Sequence, residues 1–500
     1  MTEEKLTFMP VIGIEIHIQL KTNSKIFCSC STDCESAAPN TNICPVCMGL
    51  PGALPFLNRQ VVQQGMLAGM ALNGTLRSST LFFRKSYFYP DLPKGFQTSQ
   101  CDLPIMENGW IEVQDSEGNP KKIRIHHLHL EEDVGRLQHS TVDGRLEGAD
   151  TSFVDYNRSG LALAEIVSEP DVASAREAVE FVTNLRRRVR YSGASDVDLE
   201  KGMMRFDANV SLKCSDGRRG DKVEVKNMNS FRALERAIDY EIARQTKILS
   251  QGESVLQETR HWNDARGVTT GSRTKEFYRK FIVEPDLPPL VVDSEWEARV
   301  RAMLPEMPEE KMARYIRDLA LSEDAAAILT DSREVAEYFE ACVAAGGAPV
   351  RTANWVLTDV LRCVNEGCSI SAFPVSPKVL ADLVTRIEEE RFSTTQARAV
   401  FDHIVETGSS LAEAVKLCGV TEGGFTGSDL AEKVRGVLEA NPDVLEEILS
   451  GKDTKGKKVK FLQGLVMKET RGSAKMPDVE VAVALALEVA KGNSGGSSGS

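Results

Sequence analysis

Residues 11–20 read VIGIEIHIQL, and this strict alternation of apolar and polar side chains predicts the β-strand around which the fold is built. The apolar face consists of Ile12, Ile14, Ile16, Ile18 and Leu20, and the polar face of Gly13, Glu15, His17 and Gln19. Side chains two residues apart on a strand lie on the same side, about 7 Å from each other. Glu15 and His17 therefore project together from a sheet whose opposite face is core. Taken alone, the strand could equally be half-buried with a solvated polar face.

Polar side chains share a face in four more segments. They are His127, His129 and Glu131 in residues 123–133, Glu165 in LALAEIV (161–167), Arg205, Asp207, Asn209 and Ser211 in residues 204–214, and Glu224 and Lys226 in VEVKN (223–227). Several carboxylates with an imidazole and short amide and hydroxyl groups are what a hard divalent cation that holds phosphates requires. Oxygen ligands with at most one imidazole favour Mg²⁺ or Mn²⁺ over zinc. That these strands converge on one pocket is an assumption.

Five of the eleven cysteines lie between Cys28 and Cys47 and the others are scattered, which is not the spacing of a disulfide framework. Cys28 and Cys30 form one close pair, and Cys44 and Cys47 form a second pair about 14 residues later. This spacing suits a tetrahedral structural zinc site, in which Cys34 could replace one ligand. The alternative is a set of free thiols in a reducing compartment. Because four thiolates leave no open position on zinc, the site is predicted to hold shape and to do no chemistry.

The composition describes an ordinary folded chain of roughly two to four domains, with 500 residues, 42% hydrophobic and 27% charged. The net charge of −13 argues against a protein that coats nucleic acid by overall attraction, so an RNA partner would have to meet local basic patches. Two basic runs are candidates: Arg186, Arg187, Arg188 and Arg190, and Lys455, Lys457, Lys458 and Lys460. For either run alone, a solvated face is the more common explanation. The acidic N-terminus and the lack of a run of about 18 apolar residues predict a soluble chain that is neither secreted nor membrane-bound.

The order of these patterns predicts an α+β protein. Residues 1–293 are expected to form a domain that is mainly antiparallel sheet, and residues 294–395 a helical domain. Within the latter, residues 332–345 carry one buried stripe: Val335, Tyr338, Phe339, Cys342 and Val343. Residues 396–491 form a second, small helical unit with a break at Asn441 and Pro442. Residues 492–500, GNSGGSSGS, are expected to be flexible.

A set of ordered segments resembles the B chain of the tRNA-dependent amidotransferases, the GatB component of GatCAB complexes. The segments are VIGIEIHIQL (11–20), PNTNICPVCMGLPGALPFLN (39–58), RKSYFYPDLPKGFQTSQ (84–100), HLEEDVG (129–135), DYNRSG (155–160) with EIVSEPD (165–171), FDANVSL (206–212) and VEVKNMNSFRALERAIDYEIARQ (223–245). The resemblance is specific over residues 11–290 and looser through NWVLTDVL (354–361) to FLQGLVMKETRG (461–472).

This resemblance implies a cradle domain, a helical domain and a tail domain that binds tRNA. It implies an ATP and Mg²⁺ site that phosphorylates the γ-carboxylate of Glu-tRNA(Gln) or the β-carboxylate of Asp-tRNA(Asn), after which ammonia displaces phosphate. The ammonia would come from glutamine hydrolysed by the amidase chain of the complex (GatA), with the small GatC chain bracing the pair, in a cytoplasmic, bacterial-type complex. The choice between the two tRNAs stays open, as does an organellar home. A non-catalytic tRNA-binding scaffold is the competing hypothesis.

The resemblance, carried over residue by residue, implies that the Mg²⁺ ligands are His17, Glu131 and Glu165, with Glu15 nearby in the catalytic machinery. The alternation had already singled out all four. The implied zinc ligands are the two cysteine pairs: Cys28, Cys30, Cys44 and Cys47.

Five further residues are predicted to take part in catalysis or nucleotide binding. Asp207 and Glu224 match acidic groups that complete the family's site. Lys85, in RKSYFYPDLPK, matches a lysine that contacts phosphate. Asn209 and Ser211 share the face of Asp207 and are predicted to bind the nucleotide.

The chain departs from the family pattern in three loops. Ala162 stands where the family usually has proline, and EFYRKFIVEPDLPP (276–289) replaces the usual DYRYFPEPDLPP. Residues 138–151 form a longer segment than usual. These departures concern loop geometry more than the chemistry.

Overall fold

The computed structural model describes residues 6–494 apart from residues 35, 101, 141–147, 275–279, 421–426, 452, 454, 455, 471–473 and 475. Several features singled out in the sequence lie wholly or partly outside the described residues. They are Lys455, the loops 138–151 and 276–289, the end of FLQGLVMKETRG, and residues 495–500 of the terminal segment.

Sheet and helix follow each other along the chain as the patterns predict. The strands are β1 (Phe8–Gln19), β2 (Thr75–Leu76), β3 (Ser79–Thr80), β4 (Phe83–Ser86), β5 (Phe96–Ser99), β6 (Met106–Gln114), β7 (Pro120–Glu132), β8 (Arg136–His139), β9 (Ser152–Asp155), β10 (Ala162–Ser168), β11 (Met204–Cys214), β12 (Val223–Met228), β13 (Glu258–Asn263), β14 (Val268–Thr274), β15 (Lys280–Val283) and β16 (Leu290–Val291). The α-helices are α1 (Arg59–Ala71), α2 (Ala175–Ser192), α3 (Phe231–Ser250), α4 (Ser294–Arg301), α5 (Pro308–Leu319), α6 (Glu323–Leu329), α7 (Arg333–Ala344), α8 (Pro349–Trp355), α9 (Leu361–Asn365), α10 (Pro377–Glu388), α11 (Thr394–Thr407), α12 (Leu411–Leu417), α13 (Gly427–Glu439), α14 (Pro442–Leu449), α15 (Lys457–Glu469) and α16 (Met476–Ser494). The predicted α+β class is confirmed.

The strand β1 lies inside the main sheet, between β10 and β11. The strand order is β14-β13-β12-β11-β1-β10-β7-β5-β4-β15, and β6 pairs with both β7 and β2. The pairs of this sheet that are described are antiparallel, with the exception of β12 and β13. The two neighbours of β1 follow it by more than a hundred residues, so the centre of the sheet is built from non-local pairs.

One face of the main sheet is covered by helices. Ile14 and Ile16 of β1 are completely buried in a hydrophobic core that also holds Val61 of α1, Phe181 of α2 and Leu234 of α3. Because side chains alternate along a strand, the polar side chains of β1 must project from the other face. The apolar half of the predicted pattern is therefore confirmed.

The helix α2 is tied to the sheet domain at its start and along its length. The side chain of Ser174 accepts a hydrogen bond from the helix at the N-cap position. The guanidinium of Arg186 donates to the carbonyl of Val197, and that of Arg188 to the carbonyl of Ala71. Two members of the first basic run thus have a structural role, and the run is not a continuous free patch for RNA.

The chain divides into two units, Met1–Pro308 and Glu309–Ser500. The second unit contains two hydrophobic cores, whose buried residues run from Tyr315 to Ala414 and from Leu430 to Leu487. The domain boundaries at residues 293 and 395 stay predictions. Among the described residues, none of the helices has the length and the apolar content that a bilayer crossing needs.

Two local predictions in the second unit are confirmed. The helix α7 begins after its N-cap Ser332 and buries four of the five predicted stripe residues, Val335, Tyr338, Phe339 and Cys342. The fifth, Val343, is only partly buried at the edge of this core. The break at Asn441 separates α13 from α14, and proline opens α14 at its first turn, where no backbone N–H is needed.

Candidate functional site

The polar face of β1 meets polar residues on both neighbouring strands. In the pairing with β11, Glu15 lies opposite Asp207, and His17 lies opposite Arg205. On the other side of β1, His17 lies opposite Glu165 of β10. Residues opposite each other in an antiparallel pair share a face, with Cβ atoms about 5 Å apart. Side chains that are far apart in the sequence therefore meet in one row across the sheet.

His17, Glu131 and Glu165 form a group that we call the first cluster. The Nε2 atom of His17 lies 3.5 Å from Glu131 Oε1 and 3.4 Å from Glu165 Oε2. One potential ligand atom from each residue lies within 4.8 Å of the other two, as in a site that holds a single ion. Glu131 is almost completely buried, and its Oε2 atom makes no hydrogen bond, with His129 Nε2 3.6 Å away. Since a buried polar atom without a partner is costly, these residues fit a cation.

His129 adjoins the first cluster and connects it to the surface. Its Nε2 atom lies 3.1 Å from Glu165 Oε2, and its Nδ1 atom lies 3.0 Å from Nε2 of His127. The exposed His126 follows, with 2.7 Å between its Nδ1 atom and that of His127. A row of three imidazoles thus runs from the surface to the carboxylates.

Burial and charge oppose each other in the first cluster. Burial alone would lower the pKa of His129, but the neighbouring carboxylates of Glu131 and Glu165 raise this pKa to about 9. Burial would raise the pKa of Glu165, yet the hydrogen bond with His129 and its charge hold that pKa well below the usual range. The pKa of His127 falls to about 4, because this ring is buried beside the other two imidazoles. At neutral pH, His129 is therefore an imidazolium that offsets the two carboxylates.

The raised pKa of His129 makes stability depend on pH. Because the folded value of about 9 exceeds the ordinary 6.5, the stabilisation is complete below about pH 6.5 and is lost as the pH rises through about 9. A shift of this size corresponds to about 3 kcal/mol. We expect the urea midpoint, in buffer without divalent cations, to fall between pH 6.5 and pH 9, and to fall less in His129→Gln. An equal fall in both proteins would show that other groups are responsible.

Glu15, Asp207 and Glu224 form a second cluster, whose ligand atoms also lie within 4.8 Å of one another. Lys226 lies among them, because its ammonium pairs with Asp207 and, at 3.2 Å, with Glu224. Burial would lower the pKa of Lys226, but the charges of these two carboxylates raise it. Asn209 donates to Glu15 at 2.8 Å, and its own Oδ1 atom is buried without a hydrogen-bond partner. The ammonium of Lys226 is thus a cation within the second cluster, and the Oδ1 atom of Asn209 is available to bind a further cation.

Arg205 adds positive charge beside the first cluster. Its guanidinium lies 3.1 Å from the carboxylate of Asp133, which also pairs with Arg158 at 3.1 Å. The charge of Asp133 raises the pKa of Arg205. The alternation placed Arg205 and Lys226 on the polar face, but no role was predicted for either.

Two predicted residues are not brought into contact with the clusters. Lys85 lies on β4 between Gln97 and Phe281, and no hydrogen bond or ion pair joins it to either cluster within the described residues. The hydroxyl of Ser211 donates to the carbonyl of Val11 at 3.1 Å, further along the strand pair. The phosphate contact of Lys85 and the nucleotide contact of Ser211 stay predictions.

The two cysteine pairs form a third group, the cysteine site. Sulfur atoms within 4.8 Å of one another come from Cys28, Cys30, Cys44 and Cys47. Four sulfurs bound to one zinc ion at about 2.3 Å would be about 3.8 Å apart, so the group fits zinc. A hydrogen bond from Cys28 lowers the pKa of Cys47 to about 5. Cys34 stands apart from this group, and its thiol contacts the carbonyl of Asn157 at 3.0 Å. None of the described cysteines takes part in a disulfide.

Comparison with models of protein families matches residues 10–298 to the GatB/GatE catalytic domain and residues 337–487 to the GatB domain. The chain belongs to the GatB family. The match to the GatB/GatE catalytic domain covers more than half of the chain, including both clusters and the cysteine site.

Relatives in the GatB family resemble the chain over nearly its whole length. They are the B subunits of aspartyl/glutamyl-tRNA(Asn/Gln) amidotransferases. The one from Caldanaerobacter subterraneus is 43% identical over 474 residues, which are 94% of this chain and 97% of the relative. The one from Thermotoga maritima is 44% identical over 475 residues, 94% of this chain and 97% of that one. The one from Rippkaea orientalis is 44% identical over 484 residues, with coverages of 95% and 96%.

Proposed function

We propose that this chain activates the side-chain carboxylate of a misacylated tRNA, Glu-tRNA(Gln) or Asp-tRNA(Asn), by transferring to it the γ-phosphoryl group of ATP. Membership of the GatB family and the names of the relatives support an amidotransferase reaction on tRNA. The observation that carries the ATP-dependent step is the first cluster, where an imidazole and two carboxylates from three strands fit one divalent cation.

The carboxylate needs activation because ammonia would otherwise have to expel oxide or hydroxide. In the first step a carboxylate oxygen attacks the γ-phosphorus, ADP leaves and an acyl phosphate forms. In the second step the lone pair of ammonia attacks the acyl carbon, phosphate leaves, the nitrogen loses a proton and the amide forms. Phosphoryl transfer of this kind depends mainly on positioning and on offsetting charge.

The polar face of the sheet offers groups for both tasks. His17, Glu131 and Glu165 would hold Mg²⁺, which supplies charge that offsets the phosphate oxygens. Lys226 and Arg205 limit the negative potential that the two clusters would otherwise present to a nucleotide. The second cluster is the place for further contacts with the nucleotide or a second ion.

The proposal includes the partners and the remaining sites. The amidase chain GatA would supply ammonia from glutamine, and the small chain GatC would brace the complex, in the cytoplasm of a bacterium or in an organelle. Residues 396–491 would contact the tRNA. The cysteine site would hold a structural zinc ion, which the spacing of its sulfur atoms supports.

The test is an ADP-release assay on the purified complex with each misacylated tRNA in turn. We expect ADP release and amide formation that require both a divalent cation and the charged tRNA, with ammonium chloride able to replace glutamine. The two tRNAs, assayed separately, reveal the substrate preference.

The competing hypothesis of a non-catalytic scaffold predicts a different result. A scaffold would bind the tRNA, but variants of the first cluster would leave ADP release unchanged. The scaffold hypothesis also gives no functional reason for the burial of the two carboxylates of that cluster, Glu131 and Glu165. This outcome would overturn the proposal.

A further inference from the structure

The side chain of Lys25 is completely buried, at 0% exposure. Lysine is almost never fully buried unless a group of opposite charge accompanies it, because an ammonium loses its hydration in the interior. Lys25 lies in the loop between β1 and the first cysteine pair, and its backbone N–H donates to the carbonyl of Cys30 at 3.0 Å.

No carboxylate fills this role within the part of the chain that the structure describes. The ammonium of Lys25 donates to the carbonyl of Asn42 at 2.9 Å and contacts the Sγ atom of Cys47 at 4.0 Å. By contrast, the exposed Lys21 has an ordinary ion pair with Asp196 at 2.7 Å. A carbonyl dipole satisfies one N–H but carries no net charge. The group in contact with the ammonium that can become an anion is therefore the Cys47 thiol of the cysteine site, although the charge of Lys25 also acts on the Cys34 thiol.

Backbone packing fixes Lys25 against the cysteine site. Gly160 has φ of +86°, and a Cβ atom there would lie 3.5 Å from both Lys25 Cδ and Cys47 Cβ. The carbonyl of Gly160 accepts a hydrogen bond from Ile26 at 3.0 Å. The lysine stem and the cysteine therefore lie side by side under one backbone segment, which leaves the ammonium little room to turn to solvent.

We propose that Lys25 is the resident counter-cation of the cysteine site and strengthens its hold on zinc. This inference rests on the proposal that the site holds zinc. Four thiolates around Zn²⁺ carry a net charge of −2. The neighbouring ammonium reduces the net negative charge of the zinc, the thiolates and Lys25 together to −1.

The experiment measures zinc content and the rate of zinc transfer from the purified full chain to a chromogenic chelator. Lys25→Gln is the decisive variant, because glutamine can still donate to the Asn42 carbonyl but carries no charge. We expect zinc release at least about tenfold faster from Lys25→Gln and Lys25→Met. Lys25→Arg, which keeps the charge, and the exposed control Lys21→Met should stay within about threefold of the unchanged chain.

A second measurement guards against variants that fold poorly. If Lys25 depends on the thiolates for its counter-charge, removing zinc should lower the melting temperature of the unchanged chain more than that of Lys25→Gln. A merely structural lysine would give equal losses.

The possible failures are distinguishable. A chain purified without zinc and unable to bind it would refute the zinc site itself. Zinc bound with the same release rate in Lys25→Gln as in the unchanged chain would refute only the role of Lys25.

Discussion

The variants His17→Ala and Glu131→Ala are expected to lose ATP-dependent amidation by at least about a hundredfold. Each removes one of the three groups that fit the divalent cation in the first cluster. Glutamine hydrolysis should continue, because the proposed function assigns that reaction to the amidase partner. The measurements are ADP release and amide formation on the complex, together with Mn²⁺ binding by the isolated variant.

Matched controls separate the site from the fold. His139→Ala and Glu112→Ala remove the same side-chain types outside both clusters, on β8 and on the exposed side of β6. Both controls should retain amidation. Turnover in His17→Ala equal to that of His139→Ala would contradict the assignment of the first cluster.

The variant Ile16→Ala should lower the stability of the protein and leave the amidation rate of the folded fraction unchanged, whereas His17→Ala should lower the amidation rate. Ile16 is completely buried in the core between the sheet and its helices. Removing three buried carbon atoms leaves a cavity and should destabilise the sheet unit by about 2–5 kcal/mol. Urea unfolding, followed by circular dichroism, measures the loss, and the folded fraction should keep its amidation rate.

The exposed Ile282 provides the control for this substitution. Its side chain is 46% exposed on β15, so Ile282→Ala should change the stability by less than about 0.5 kcal/mol. If Ile16→Ala were as stable as Ile282→Ala, β1 would not be the buried strand that its alternation predicts.

The sequence predicted the faces of the strands better than their neighbours. The period of two in β1 and β11 fixed which side chains lie on the polar face, because this depends only on local geometry. It could not show that β1 pairs with β10 on one side and β11 on the other, since those pairings join segments more than a hundred residues apart. The meeting of His17, Glu131 and Glu165 therefore had to be assumed.

The roles of residues that contact distant segments of the chain were the hardest to predict from the sequence. Lys226 shares a face with Glu224 in the sequence, but its place between two carboxylates requires the pairing of β11 with β12. Arg188 was part of a candidate RNA patch, yet its guanidinium binds a carbonyl of α1. The burial of Lys25 left no trace in the sequence, because lysine is ordinarily a surface residue.

The position of β1 between two later strands has a consequence for synthesis of the chain. Its partners in β10 and β11 leave the ribosome roughly seven to forty seconds after it, at about 5–20 residues per second. During that interval the β1 segment of the nascent chain has no strand partner on either edge. It also exposes the five aliphatic side chains of its apolar face. Because unpaired strand edges pair readily with other chains, we expect the yield of folded protein to rise when a chaperone, or burial against α1, shields β1 until translation has passed residue 214.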